Sequence, residues 1–160
     1  AIQLDVYSVV TAADGRDFSL VRVYDINLGA GRGIVPVDEG AGADLFAFPT
    51  GWLSRLGLAA DVAALVRVKG DSMAPTIPDG AMVLVDLTRR SVDAPGVYAF
   101  SRDGEAFVKR LVPVEVGPSG RPRSLVVISD NPVIAPETVS GDELVGFNLA
   151  GQVRAVLFTV

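Results

Sequence analysis

GVYAFSRDGEAFVKRLVPV, residues 96–114, predicts a β-hairpin made of two short strands joined by a two-residue turn. Both halves, 96–102 and 105–114, are rich in the β-branched and aromatic residues that strands favour. Asp103-Gly104 stands between the halves, and this dipeptide favours a tight turn because both residues tolerate positive φ angles. The stretch therefore predicts antiparallel β structure.

Short apolar runs separated by Gly and Pro continue on both sides of this hairpin. The 160 residues include 17 Gly and 10 Pro, which fall between the runs, as is typical of β domains. Residues 49–58 predict one short helix, because Trp52 and Leu56 are spaced i,i+4 and Gly57 stands near its end. We expect a mostly β fold: a compact antiparallel domain with one or two short helices and a flexible N-terminal arm or loop. The other predicted strands are 19–27, 64–70, 81–87, 124–130, 143–151 and 152–160.

Composition excludes several classes of function. The chain has no His and no Cys, which rules out His-based catalytic triads, imidazole-bound zinc, disulfides and iron–sulfur clusters, and we expect no cofactor and no metal. Its net charge of -5 gives no basic face, so this chain alone is not expected to contact DNA. No apolar run reaches the roughly 18 residues of a membrane span, and the N-terminus has no basic signal-peptide region. We expect a cytoplasmic fragment without a membrane partner, with sequence removed upstream of Ala1.

Lys109 is one of only two lysines, and it lies on an apolar face of the predicted hairpin. Side chains alternate along a strand, so Lys109 shares its face with Phe107 and Leu111. Burial of an ammonium lowers its pKa, and a lysine with a depressed pKa can act as a general base. The alternative is that Lys109 extends to solvent from a sheet edge. Spacing alone leaves both interpretations open.

Ser72 is the conspicuous candidate nucleophile. It lies in VKGDSMAPTIPDG, residues 68–80, where a predicted strand ends in a Gly-Asp turn. Such a junction projects a hydroxyl and gathers backbone N–H groups, here those near Ser72 and Met73, which can stabilise an oxyanion. The alternative is that Ser72 caps a short helical turn containing Ala74 and Pro75.

Taken together, GDSMAPTIPDG (70–80) and FVKRL (107–111) resemble the S24 peptidase domain of LexA-type and phage repressors, with the lysine 37 residues after the serine. The likeness extends to VLVD (83–86), GVYAF (96–100) and ISDNP (128–132) and covers most of residues 63–160. It implies a LexA/signal-peptidase-like fold in which Ser72 is the nucleophile and Lys109 the base. The reaction that it implies is cleavage of one bond of the chain itself, usually Ala-Gly, stimulated by RecA filaments.

Two Ala-Gly bonds are candidates for that cleavage. Ala30-Gly31 lies 42 residues before Ser72, at the start of a Gly-rich stretch whose small residues can enter a narrow cleft. Ala41-Gly42 is the second candidate and stands among acidic residues. We therefore divide the chain into 1–44, a strand plus a flexible cleavage-site region, and 45–160, a Ser/Lys peptidase-like and dimerisation domain.

The resemblance further implies a homodimer, and contact with operator DNA only through a helix-turn-helix domain that would precede this chain. Two alternatives stay open. The first is a dimerisation or regulatory module of a repressor that keeps the fold and does not cut itself. The second is a UmuD-like processed subunit of a polymerase. A signal peptidase shares the Ser/Lys chemistry but needs a membrane anchor.

Overall fold

The structure is a computed structural model that describes residues 9–25 and 44–160 of the chain. Within these ranges it contains ten strands, one α-helix and two 3₁₀ helices. The strands are β1 (Val9–Thr11), β2 (Asp17–Asp25), β3 (Leu45–Pro49), β4 (Ala63–Arg67), β5 (Met82–Asp86), β6 (Gly96–Arg102), β7 (Glu105–Val116), β8 (Pro122–Ile128), β9 (Glu137–Ser140) and β10 (Phe147–Leu157). The helices are α1 (Thr50–Arg55) and the 3₁₀ turns Ala60–Val62 and Gly141–Gly146.

The described strands form one sheet in the order β1-β2-β4-β5-β10-β6-β7-β8-β9, with β3 also paired to β2. Every pairing is antiparallel except that of β2 with β4. The expected mostly β, antiparallel fold is therefore confirmed. Because β2 pairs with both β3 and β4, part of the region before residue 45 belongs to the same sheet. The division at residues 44/45 stays a prediction.

The hairpin predicted from residues 96–114 is present. β6 and β7 pair from Gly96 opposite Leu111 to Arg102 opposite Glu105, which leaves a two-residue turn. Both turn residues, Asp103 and Gly104, have positive φ angles, 52° and 84°. This is the backbone geometry that the Asp-Gly dipeptide favours.

The C-terminal region differs from the prediction of two strands at 143–151 and 152–160. Residues 141–146 form a 3₁₀ helix that begins with a capping box between Ser140 and Glu143, and a single strand, β10, follows. Gly151 does not end a strand: it is the point where β10 passes close to β5. A Cβ atom there would overlap the carbonyl oxygen of Asp86, so glycine permits a close backbone approach.

The predicted helix at residues 49–58 is confirmed as the shorter α1. It ends at Arg55 with Leu56 as its C-cap, and Gly57 follows with φ +69°, the left-handed conformation that favours glycine after a helix. Trp52 stacks on Phe48 with a ring-centroid separation of 5.4 Å, which fixes α1 against β3. No helix within the described ranges is long and apolar enough to cross a bilayer.

The core lies on both faces of the central strands. In β4, Ala64 and Val66 pack into one buried cluster, whereas Ala63 and Leu65 pack into another. The first cluster also contains Met73 from the loop between β4 and β5, and Met73 is only 1% exposed. The loop that carries the candidate serine is therefore anchored in the core immediately beside that serine.

Candidate active site

The loop of residues 68–81, which carries Ser72, is closed by backbone hydrogen bonds at its base. Val68 donates its N–H to the Ala81 carbonyl at 2.8 Å, and Gly80 donates to the Val68 carbonyl at 3.0 Å. The Gly70 N–H donates to the carboxylate of Asp79 at 2.7 Å, which ties the two arms of the loop together. These contacts hold the serine turn in a defined position at the end of β4.

Ser72 is half-buried, and its hydroxyl makes no hydrogen bond to any group in the described ranges. The turn around it is closed by backbone groups instead, with Ala74 donating to the Asp71 carbonyl and Ile77 donating to the Met73 carbonyl. The alternative in which Ser72 caps this turn is therefore not what the structure shows. Its hydroxyl is left available for another contact.

Lys109 lies in the middle of β7 and is half-buried. Its Nζ donates a hydrogen bond of 2.7 Å to Oγ of Ser129, a residue that is only 9% exposed. Burial lowers the pKa of the Lys109 ammonium below the ordinary lysine value, and the charge of Glu137 opposes this by raising it. The amine thus bonds to a buried hydroxyl rather than extending into solvent.

Ser72 and Lys109 line the same cleft, which has a volume of about 450 Å³. One wall comes from the serine loop and the other from β7, so residues far apart in sequence meet there. The lining residues are Val68, Lys69, Gly70, Asp71, Ser72, Ala106, Phe107, Val108 and Lys109. The structure therefore places both residues that the sequence singled out on one cleft. Among the described residues, no group of three acids is placed to hold a metal ion.

The segment of residues 129–131 contacts both walls of this cleft. Sequence analysis placed it at the end of a predicted strand and within the S24 likeness, but assigned none of its residues a role in the site. Asn131 donates its backbone N–H to the Ser72 carbonyl at 3.1 Å and its side-chain amide to the Asp71 carbonyl at 3.2 Å. Ser129, two residues earlier, accepts the hydrogen bond from Lys109. One tripeptide thus contacts both the serine turn and the lysine.

Asp130, in the middle of this tripeptide, is fixed by a two-pronged contact with Arg110. The guanidinium donates hydrogen bonds of 2.9 and 2.8 Å to the two carboxylate oxygens. These bonds, with a smaller contribution from Thr76, lower the pKa of Asp130 below its ordinary value. Two parallel charge-assisted bonds restrict orientation as well as distance, so they hold the tripeptide against β7.

Comparison with known proteins identifies the family of the chain. The sequence model described as Peptidase S24-like matches residues 22–153. The chain belongs to this family. A relative described as an uncharacterized HTH-type transcriptional regulator, from Haemophilus influenzae, is 31% identical over 102 residues. That alignment covers 63% of this chain and 40% of the relative, so the chain spans less than half of the relative's length.

Of the other predicted parts of the site, the structure describes the oxyanion donors but not the scissile bonds. The backbone N–H groups of Ser72 and Met73, the candidate oxyanion donors, make no hydrogen bond within the described ranges. Both candidate scissile bonds, Ala30-Gly31 and Ala41-Gly42, lie outside the described residues. The site described here is therefore the serine, the lysine and the tripeptide that contacts both.

Proposed function

We propose that this chain is the self-cleaving domain of a LexA-like or prophage transcriptional repressor. The observation that carries the proposal is the convergence of Ser72 and Lys109 on one cleft in a member of the S24 family. The similarity to a protein described as an HTH-type transcriptional regulator supports the repressor context. In this proposal the DNA-binding helix-turn-helix domain precedes the chain, and the chain acts in the cytoplasm.

The proposed reaction begins when neutral Lys109 accepts the proton of the Ser72 hydroxyl. Oγ then forms a bond to the carbonyl carbon of Ala30, and the N–H groups of Ser72 and Met73 donate to the oxyanion. Collapse of this intermediate breaks the bond to Gly31, whose nitrogen takes the proton held by the lysine. Water, deprotonated by the same amine, hydrolyses the ester and restores both side chains.

The reaction requires the lysine in its neutral form, so the rate constant rises with pH until that form predominates. Burial lowers the pKa of Lys109, and this enlarges the neutral fraction at any pH below the ordinary lysine value of about 10.4. Cleavage would separate the DNA-binding half from the dimerising half. Each DNA half-site would then be bound by a DNA-binding domain that is no longer linked to its partner. The gain in affinity that linkage provides would be lost, and derepression would follow. RecA filaments are the proposed activator, and a homodimer the proposed assembly.

The test is incubation of the purified chain from about pH 7 to pH 10, with intact masses taken over time. We expect two fragments that meet at Ala30-Gly31, formed at a first-order rate that does not depend on protein concentration. Ser72→Ala should abolish cleavage, whereas Ser91→Ala, an exposed serine outside the cleft, should leave it unchanged. Fragments that meet at Ala41-Gly42 would agree with the mechanism and exclude Ala30-Gly31 as the scissile bond. Cleavage by the Ser72→Ala variant would refute the role of Ser72 as the nucleophile.

A second candidate function is a dimerisation module that does not cut itself. One observation favours it: Lys109 donates to Ser129, and no hydrogen bond joins it to Ser72 in the described structure. An intact mass across the whole pH range, together with a stable dimer in sedimentation equilibrium, would support this function. Fragment formation that depends on Ser72 would exclude it.

A further inference from the structure

The register of β7 against β8 brings Ser129 next to Lys109. The ladder ends at Arg110 opposite Ile128, and continuing its register by one position sets Lys109 opposite Ser129, just beyond the end of β8. Ser129 is the first residue after β8, and its side chain lies on the side of the sheet from which Lys109 reaches it. The contact is therefore built into the register of the sheet.

We propose that Ser129 is a positioning residue that holds the Lys109 amine in the cleft. The inference deepens the proposed function and rests on it for its catalytic meaning. A neutral amine has two hydrogens and one lone pair. When one hydrogen is donated to the Ser129 hydroxyl, the lone pair points away from that oxygen and is free to accept the proton of Ser72.

The position of the Ser129 hydroxyl is itself fixed. On its C-terminal side, Asp130 is locked to Arg110, and Asn131 donates two hydrogen bonds to the backbone of the serine turn. The acceptor for the lysine is thus tied by its own chain to the turn that carries the nucleophile. A reacting group gains from such support because small errors in placement cost large factors in rate.

Ser129 has a second effect, on the protonation of the lysine. A hydroxyl oxygen accepts a stronger hydrogen bond from an ammonium than from a neutral amine, so its removal destabilises the charged form and lowers the pKa of Lys109. The other titratable or charged groups on the surrounding elements are Lys69 and Asp71 in the cleft, Tyr98 opposite Lys109 on β6, Glu137 on β9, and the paired Arg110 and Asp130. Substitution of Ser129 leaves all six of these side chains in place.

The first measurement uses the full chain labelled with ¹³C at the ε carbon of lysine, in a Ser72→Ala background that stays intact. The chain has two lysines, so the spectrum has two signals, and Lys69 serves as an internal control. In Ser129→Ala we expect the titration midpoint of Lys109 to fall by about one pH unit. The midpoint of Lys69 should not move, and Ser129→Thr should restore that of Lys109.

The second measurement is the plateau rate of self-cleavage at high pH in the chain that retains Ser72. We expect Ser129→Ala to lower this plateau about ten-fold or more while its pH midpoint moves down, and Ser129→Thr to restore both. Ser124→Ala removes an equally buried hydroxyl from β8 and should change neither quantity. Simple loss of stability would lower the rate without moving the midpoint.

The inference is overturned if the Lys109 midpoint and the plateau stay unchanged in Ser129→Ala, or if Ser124→Ala changes them equally. The two proposals fail separately. A chain that never cuts itself, yet shows the shifted Lys109 midpoint, refutes self-cleavage and supports the role of Ser129 in holding the amine. A chain that cuts itself with Ser129→Ala at the wild-type plateau and midpoint refutes the role of Ser129 alone.

Discussion

The contact between Arg110 and Asp130 gives a prediction about stability in which the two partners are not equivalent. The Asp130 side chain is 11% exposed, whereas that of Arg110 is 37% exposed. Arg110→Met keeps most of the aliphatic length and leaves a largely buried carboxylate without its main donor. Asp130→Ala leaves a guanidinium that water can reach. We therefore expect the loss of the arginine to cost more than the loss of the acid.

The magnitudes follow from these exposures. Breaking a fully buried ion pair by removing one partner costs roughly 3–5 kcal/mol, and the partial exposure of this pair reduces the expected cost of Arg110→Met to about 2 kcal/mol. Asp130→Ala loses charge-assisted hydrogen bonds whose donor is then solvated, so about 1 kcal/mol is expected. Arg123→Met, an exposed arginine on β8, is the matched control and should stay within about 0.5 kcal/mol of wild type.

The cost of Arg110→Met should also depend on pH. The pKa of Asp130 is lowered in the folded state, so its contribution to stability is present above the unfolded value of about 3.9. That contribution is lost as the pH falls through the lower, folded pKa. Wild type and Arg110→Met share the unfolded value, so the difference in free energy of unfolding between them should narrow as the pH falls from the pKa of Asp130 in the folded variant, which burial raises, towards the lowered pKa in the folded wild type.

Urea unfolding followed by circular dichroism, in a Ser72→Ala background and at several pH values between about 7 and 3, measures these differences. An equal loss of stability in Asp130→Ala and Arg110→Met at neutral pH would show that the buried carboxylate is not the more costly group to leave unpaired. A cost of Arg110→Met that is the same throughout that pH range would show that the carboxylate is not the source of the effect.

Two further predictions concern β10 and the lysine. Gly151→Ala should reduce the free energy of unfolding by at least about 2 kcal/mol, because the new Cβ would overlap a backbone carbonyl of β5. Gly51→Ala in α1 is the control and should be neutral or stabilising. The midpoints of urea unfolding of the two variants test this difference. Glu137→Gln removes the charge that raises the pKa of Lys109, so the midpoint of the pH–rate profile for self-cleavage should move down by a few tenths of a pH unit. A midpoint that stays in place or moves up would contradict this.

The elements that sequence predicted best are those specified by neighbouring residues. The β6–β7 hairpin is set by its own Asp-Gly turn, and α1 by apolar spacing and a following glycine. Sequence missed three strands, β1, β3 and β9, and two of them, β1 and β9, carry weak local signals. In β9 only Val139 is buried, and β1 has three exposed residues, so neither shows a period that marks a strand. Gly151 was interpreted as a break, although its role is close packing between strands.

The candidate site divides in the same way. Ser72 and Lys109 stand out in the sequence because one lies in a turn after an apolar strand and the other interrupts an apolar face. Ser129 does not stand out, because its role depends on the register of β7 against β8. That ladder has irregularities near Glu115, so counting outward from the connecting turn does not give the register. Tertiary pairing, not local pattern, places Ser129 beside the lysine.

In the proposed mechanism Lys109 supplies the base for attack by Ser72. The self-cleavage rate constant measured against pH for wild type, Lys109→Ala and Lys69→Ala tests this role. Both lysines line the same cleft, so the pair separates a specific base from a general effect of positive charge. We predict that Lys69→Ala cleaves with the wild-type profile and that Lys109→Ala does not cleave at any pH. Cleavage by Lys109→Ala at a rate comparable to wild type would contradict the account.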